Sequence, residues 1–595
     1  MRNDGEAVTA ALYPQPRSLV ITGQGVRVDA VVRVVEDAAL GPQAFTVDTT
    51  GGADILVRCG DAAGRRYADV TIAQLRAAAD GRIPGLVIED SPDFPVRGYL
   101  LDVSRDRVPT RATLTRIVEL MARARLNHLQ LYTEHTFAYA DHEVVWRDAS
   151  PLTSADIRWL DQLCREAGIE LVANQTTFGH MERWLKHPQY AHRAESPDGL
   201  EPLPGMVLPP TLFAPDADNA EFAMDLLGEL LENFAARTVN INCDEPFELG
   251  RGRSADRVAE VGRHSVYVEH VRRIAEPLLE QGYRVLIWAD VIGRDAHALE
   301  ALPEGVVPVV WCYEAPGALE GVRELIPAEF LQTLESFGVD IGIHNGFEAA
   351  TDVLRCSGRP YWVAPGTSSW MTLIGRIDNA RANLLDAAVQ GTAGGAEGFL
   401  IADWGDQGHL QPPSVSFGPL LYGGAVSWCC ETNADLDIAA ALDEQAFQDS
   451  TGNLGRALVE LGLLWDLTGQ RQHNGSPLQT ALMPGGLGLV FGEPDAAKLT
   501  VLLSRLDAAL AAIAEAEPGC ADGRQITHEL TTAAGLARVG ALRLLERAGG
   551  SHDVDLNATL GELVGQQRQA WLARSMPGGL EDSLARISLE VPHHA

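Results

Sequence analysis

Lysine is almost missing from this chain: Lys186 and Lys498 are its only two, and the other basic residues are arginines. Cations as a whole are outnumbered, 47 Lys plus Arg against 81 Asp plus Glu, for a formal charge of −34. That balance argues against a nucleic-acid partner, whose phosphates need clustered cations, and against an anionic membrane surface. Cysteine is sparse as well. Eight in 595 residues are too few for a disulfide scaffold, and they form no C-x-x-C pair and no zinc-ligand spacing. The adjacent Cys429 and Cys430 read as buried thiols. No uninterrupted apolar run reaches the roughly 18 residues a spanning helix needs. The opening MRNDGEAVTAALYPQPRSLV has no basic stretch followed by an apolar one, so no secretory signal is visible. These absences make a cytoplasmic protein the expectation, with no membrane and no nucleic acid among its partners.

What is present is ordinary globular material, 46% hydrophobic and 22% charged, long enough for two to four domains. Residues 1–95 hold apolar β-rich runs (19–22, 26–35, 55–59) parted by Gly and Asp turns, with a helical stretch at 67–79. They predict a small α/β domain. From 96 to 430, short β-branched runs alternate with amphipathic helices. The runs are 99–103, 128–132, 170–173, 239–243, 285–289, 307–312, 361–364 and 398–402. Leu114, Ile117, Val118, Met121 and Ala122 share one helical face, and Thr153 and Asp156 have capping-box spacing after Pro151. Eight β/α units predict a (β/α)8 TIM barrel, although a further strand candidate at 339–344 blurs the sixth and seventh units. Residues 431–595 read as a C-terminal α-helical domain, with helices expected at 439–466, 495–516, 525–548 and 556–575. Those helices can cover the barrel or pair with a second subunit, so a homo-oligomer stays open.

Chemistry collects at the strand ends. Trp288, Trp311 and Trp404 each close a barrel-strand candidate, at the end where barrel enzymes keep their sites. Three indoles there suggest an aromatic-walled pocket, the usual surface for the apolar face of a sugar ring. Polar residues gather alongside: LLDVSRDR, LQLYTEHTFAY, LVANQTTFGH, VNINCDEPFELG, LIWAD, VVWCYE and FLIADWGDQGH. Carboxylates at such ends cost several kcal/mol unless they are paired or used, and salt bridges or helix caps account for many. The pair Asp244–Glu245 stands apart. In extended geometry adjacent side chains diverge, so two carboxylates can approach one ligand from separate angles.

Taken in order, these segments resemble the family 20 glycoside hydrolases, the β-N-acetylhexosaminidases. The features are IEDSPDFPVRGYLLDVSR, the Asp244–Glu245 pair after the fourth strand, tryptophans ending strands five and six, and Trp404–Gly–Asp406. The resemblance spans roughly residues 10 to 430. It implies that Glu245 is the general acid and base and that Asp244 orients the substrate's 2-acetamido group, whose oxygen attacks the anomeric carbon to give an oxazolinium intermediate. A tethered nucleophile gains effective molarity, and the Asp244 carboxylate would stabilise the positive charge that develops beside it. Its charge is also expected to raise the pKa of Glu245. The resemblance further puts Arg105 on the sugar hydroxyls O3 and O4, with an ion pair to Asp102 or Asp106 as the plainer reading. It puts His180 in the pocket, Trp404 under the sugar, and Asp406 on O4 and O6. Trp288, Trp311 and Trp370 would wall the acetamido pocket.

Three departures are visible. Asn242–Cys243 stands where the family has a glycine-rich run, and Asp406 is one methylene shorter than the family's glutamate, which leaves the gluco or galacto choice open. The tyrosine that holds the acetamido oxygen has no evident match. Tyr313 is the substitute, with Tyr361 and Trp370 as alternatives. Glu134, His135, Asn174 and Asp290 are expected to line the site. The chemistry asks for no cofactor and no metal, and the partner implied is a small glycoside or oligosaccharide. The other readings are a β-N-acetylgalactosaminide-selective glycosidase of a related barrel family and a non-catalytic amino-sugar-binding protein.

Overall fold

The computed structural model describes residues 8–9, 11–105, 107–203, 206–318, 320, 332, 346–483 and 490–587. Five strands, Ser18–Ile21, Val32–Glu36, Phe45–Asp48, Ile55–Cys59 and Leu86–Asp90, form the leading sheet in the order first, fifth, third, fourth, second. Helix Ala62–Ala78 covers one face, laying Ala68, Ile72 and Leu75 on Phe45, Val47, Val57 and Ile88. The run at 26–35 is two strands rather than one. A turn closed by Ala30 N–H to the Arg27 carbonyl, 3.0 Å, parts Val26–Arg27, which pairs with Arg82–Ile83, from Val32–Glu36. The central strands Phe45–Asp48 and Leu86–Asp90 were not expected.

Eight parallel strands close the barrel in chain order. They are Val96–Asp102, His128–Thr133, Glu170–Gln175, Thr238–Asn240, Arg284–Trp288, Val306–Trp311, Trp362–Ala364 and Gly398–Asp403. The last pairs with the first from Gly398 opposite Val96 to Asp403 opposite Leu101. All eight fall on the β-branched runs of the sequence, and the fold is the expected TIM barrel. The further candidate at 339–344 lies outside the described residues, as does Asp106. Strand alternation sorts the side chains. Leu129, Leu131, Ile287 and Ile401 face the surrounding helices, whereas Leu100, Tyr132, Leu286, Trp288, Leu400 and Ala402 point into the barrel. Helix Ser154–Ala167 opens with the Thr153–Asp156 capping box and ends at Gly168 in the left-handed region, φ 75°.

The chain beyond the barrel is helical. Ala496–Glu515, Gly523–Arg547 and Leu556–Arg574 are its long members. The helix expected at 439–466 is broken instead into Ile438–Ala441, a π-helical turn Leu442–Phe447, Asn453–Gly462 and the 3₁₀ segment Leu464–Thr468. Gln448 takes a left-handed φ of 54°, and the Asp449 carboxylate caps the restarted helix by accepting from Leu454 N–H at 2.9 Å. One apolar core runs from the barrel helices into this region, joining Phe417 and Leu420 to Leu442, Leu478, Leu536 and Trp571. No described helix is long and apolar enough to cross a membrane.

Candidate active site

The C-terminal ends of all eight strands converge on one pocket. Asp102, fully buried at the end of the first strand, organises one side of it. Its Oδ1 accepts the N–H groups of Ser104 and Arg105, both at 2.9 Å, and its Oδ2 accepts Arg105 Nη1 and Gly405 N–H, both at 3.0 Å. This ties the loop after strand one to the loop after strand eight. Arg105 then reaches Asp406 through Nε at 3.1 Å, while its guanidinium lies 5.0 Å from the Tyr132 ring and 5.1 Å from the Trp404 ring. The ion pair to Asp102 therefore exists, and it holds Arg105 toward the pocket beside Asp406.

Opposite stand the paired carboxylates. The turn after strand four carries Asn242, Cys243 and Glu245 at φ of 59°, 64° and 48°. Left-handed conformations at non-glycine residues cost roughly 1–3 kcal/mol each and persist only where the surroundings enforce them. Here Thr177 Oγ1 donates to the Ile241 carbonyl at 2.6 Å, Tyr267 OH to the Cys243 carbonyl at 2.9 Å, and Glu245 N–H to Asp290 Oδ2 at 2.9 Å. Asn242–Cys243 thus adopt the backbone that glycines would take without cost. His180, itself at φ 56°, bonds Asp244 Oδ2 through Nε2 at 3.0 Å and stands 3.6 Å from Glu245 Oε2. The other oxygen, Asp244 Oδ1, is buried with no hydrogen-bond partner.

Burial works against a charge on His180, but the Asp244 carboxylate and its hydrogen bond outweigh that and raise the imidazole to about 9. Glu245 is shifted upward, as expected, though burial is the main cause. His180 opposes the shift and Asp244 adds a smaller push. Burial and the neighbouring Asp244 charge raise Asp290 to about 7. Glu134, buried and holding the Tyr132 hydroxyl at 3.0 Å, is raised by burial too.

Aromatic rings enclose the remaining sides. Trp404 donates its indole N–H to Tyr313 OH at 2.9 Å and meets Tyr132 edge-on at 4.8 Å. Tyr313 stacks on Trp311, centroids 5.3 Å apart, and takes the edge of Trp370 at 5.1 Å. Trp288 lies 5.9 Å from Trp404. A Cβ at Gly366 would fall 2.4 Å from Trp370 and 2.9 Å from Tyr313, so that glycine lets the wall close.

The structure therefore gathers Arg105, Glu134, His180, Asp244, Glu245, Trp288, Trp311, Tyr313, Trp370, Trp404 and Asp406 around one space. Three expected residues lie elsewhere. Asn174 is fully buried in the barrel interior below Trp288, bonded to Asn242. His135 has Arg183, Lys186 and His187 as its charged neighbours, and burial lowers it to about 3. Tyr361 packs among the outward-facing residues beside Gly394. Missed were the tie from Asp102 to Gly405 N–H, and Tyr132. Tyr132 and Glu134 sit two apart in LQLYTEH, and period-two alternation places both on the inward face. Among the described residues no group of three His, Cys, Asp or Glu side chains is placed to share a metal ion.

Parts of the chain are similar to known proteins. Residues 94–324 match the profile of glycosyl hydrolase family 20, catalytic domain. Human hexosaminidase D is 26% identical over 234 residues, 38% of this chain and 46% of that protein, so the chain spans about half the length of this curated relative. Among solved structures, a chitobiase from Flavobacterium johnsoniae superposes with a TM-score of 0.55 at 13% identity, covering 98% of this chain and 99% of its own. An exo-β-N-acetylglucosaminidase from Vibrio harveyi gives a TM-score of 0.56 at 14% identity, over 76% of this chain and 78% of that one. At such identities the structural likeness speaks for the fold.

Proposed function

The chain carries the catalytic domain of glycosyl hydrolase family 20, and from that premise we propose that it is an exo-acting β-N-acetylhexosaminidase. It would remove terminal β-linked N-acetylglucosamine or N-acetylgalactosamine with retention of configuration, the substrate's own acetamido group serving as nucleophile. The observation that carries this reading is Asp244. One oxygen is engaged by His180 at 3.0 Å, and the other is buried without a donor. An acetamido N–H supplies the missing donor. Bound there, it is aligned for attack of its carbonyl oxygen on the anomeric carbon, and the carboxylate offsets the positive charge that builds on the amide.

Glu245, with its pKa raised mainly by burial, retains a proton for the glycosidic oxygen and later removes one from the water that opens the oxazolinium ring. The His180 imidazolium holds Asp244 in its rotamer. Arg105 and Asp406 face the hydroxyls at the far end of the ring, Trp404 lies under its apolar face, and Trp288, Trp311 and Trp370 enclose the acetamido methyl. Tyr313 OH, already accepting from Trp404, has its own proton free for the acetamido oxygen.

The purified chain is expected to release p-nitrophenol from the β-N-acetylglucosaminide, the β-N-acetylgalactosaminide or both, and to be inhibited by a thiazoline analogue of the intermediate. Glu245→Gln should lower turnover by about 10²- to 10⁴-fold, the usual contribution of a general acid–base. Absence of cleavage of both epimers, or full activity in Glu245→Gln, would refute the proposal. The epimer ratio also reads out the effect of the shorter Asp406.

A further inference from the structure

Below Trp288 the barrel interior is filled with amides rather than aliphatic side chains. Trp288 Nε1–H donates to Asn242 Oδ1 at 2.8 Å, and Asn242 Nδ2 donates to Asn174 Oδ1 at 2.7 Å. Asn174 Nδ2 donates to Gln130 Oε1 at 2.8 Å, and Asn240 Nδ2 donates to the same oxygen at 3.1 Å. Gln130 Nε2 lies 2.9 Å from His128 Nε2. On its other side, His128 Nδ1 stands 3.5 Å from Glu170 Oε2, at the solvent-facing start of strand three. Asn240 also accepts the Asn242 backbone N–H at 2.9 Å, so the ladder grips the start of the strained turn. His128, Gln130, Asn174, Asn240, Asn242 and Trp288 are all essentially fully buried.

The direction of every rung follows from its top. An indole nitrogen can only donate, so Asn242 must present oxygen to Trp288 and its NH₂ to Asn174. The same choice repeats through Asn174 and Gln130, and His128 Nε2 is left as an acceptor. His128 must therefore carry its proton on Nδ1, toward Glu170. Reversing any one amide sets donor against donor or acceptor against acceptor in a buried place, where unsatisfied polar groups are expensive.

We infer that His128, Gln130, Asn174 and Asn242 form a one-way hydrogen-bond ladder whose direction positions Trp288 and the Asn242–Glu245 turn. These are positioning residues. They act through Trp288 and the turn, and the inference rests on the reading of Trp288 as a wall of the acetamido pocket. A firmly held Trp288 limits the size of the N-acyl group that fits, so the ladder sets acyl discrimination from inside the barrel.

The test pairs a spectroscopic readout with a kinetic one. In protein labelled with ¹³C and ¹⁵N at histidine, the His128 ring, identified by its absence in His128→Gln, should be the Nδ1–H tautomer. Asn174→Asp, equal in size, still accepts from Asn242 but presents an oxygen to Gln130 Oε1. Gln130 should turn over, giving up its contact with Asn240 Nδ2 to avoid the carboxylate, and His128 should move its proton to Nε2. The same variant should lower the kcat/KM ratio of N-acetyl over N-butanoyl p-nitrophenyl glucosaminide at least threefold, a change that general destabilisation does not produce. Gln130→Glu is the second variant. Its carboxylate keeps both upper acceptor rungs but cannot donate to His128, so His128 should become doubly protonated while the acyl ratio stays within twofold of wild type. An Nε2–H tautomer in the wild type, or a tautomer and ratio unmoved in Asn174→Asp, would overturn the ladder. So would an Nδ1–H tautomer unmoved in Gln130→Glu. Should the wild type cleave no N-acyl glucosaminide, the proposed activity fails while the tautomer measurements still decide the ladder.

Discussion

Asp290 is the side chain whose state most directly reports the electrostatics of this site. It accepts the Glu245 backbone N–H through one oxygen, and its other oxygen is buried without a partner. Burial, then the Asp244 charge, lift it from 3.8 to about 7. A carboxyl raised in the folded chain keeps a proton that the unfolded chain has released. Stability is therefore lost as pH rises from about 4 through about 7. His180 works in the same sense at higher pH, because a histidine raised from 6.5 to about 9 contributes stability that is full below 6.5 and lost as pH passes about 9. Asp290→Asn keeps an acceptor for Glu245 N–H and removes the titration. The variant should gain stability relative to wild type between pH 5 and pH 8 in urea melts, with the gain complete just above neutrality. A difference that does not change with pH would show that Asp290 is already ionised at pH 5.

Between elements, contact distances decide which small residues matter. Gly179, in the loop after strand three, is pressed against the turn after strand four, and a Cβ there would lie 2.6 Å from the Asp244 carbonyl oxygen. Backbone cannot rotate out of the way as a side chain can. Gly179→Ala should therefore cost about 1–3 kcal/mol and lower kcat/KM, because relief requires moving Asp244. Gly228 is the contrast. It sits exposed within helix Ala217–Leu231, and a methyl added there would have nothing within 4 Å, so Gly228→Ala should add about 0.5–1 kcal/mol with activity unchanged. Denaturant midpoints and kinetics on the two variants check both signs. Close approaches like that of Gly179 are invisible in sequence, whereas periodic signals are not. The barrel strands were legible because runs such as Val306–Trp311 and Gly398–Asp403 are apolar on both faces, one toward helices and one toward the barrel. The residues at their ends were legible as a pocket for a related reason: Trp288, Asp244 and Trp404 follow strands that the alternation with helices makes parallel. Left-handed turns at Asn242, Cys243 and Glu245 were not, since no glycine marks them and Tyr267, Thr177 and Asp290, which hold them, are remote in sequence. Nor was the polar barrel interior, because Gln130 and Asn240 interrupt runs otherwise read as apolar.

At the scale of the molecule, the helical C-terminal region packs against the barrel near the candidate site. Its last segments reach the loops after strands one and eight, which carry Arg105, Trp404 and Asp406. Arg107 Nε donates to Ser575 Oγ at 2.8 Å, Thr113 Oγ1 to the Arg574 carbonyl at 2.7 Å, and Gln567 Nε2 to the Leu410 carbonyl at 2.9 Å. The Arg574 side chain turns the other way, into the helices, where it meets Glu529 and, at 2.8 Å, Asp522. The Glu529 side chain is fully buried against that guanidinium. Removing one partner of a buried ion pair costs about 3–5 kcal/mol, since the other is left desolvated and alone. Because a single apolar core joins barrel and helices, that loss should not be confined to the tail. Arg574→Met is expected to lower the urea midpoint of the barrel and of the helical region together. Amide exchange in strand Val96–Asp102 and in helix Gly523–Arg547 reports on each. Coincident shifts make the helices part of one cooperative unit, and a shift in helix Gly523–Arg547 alone would make them a separate one.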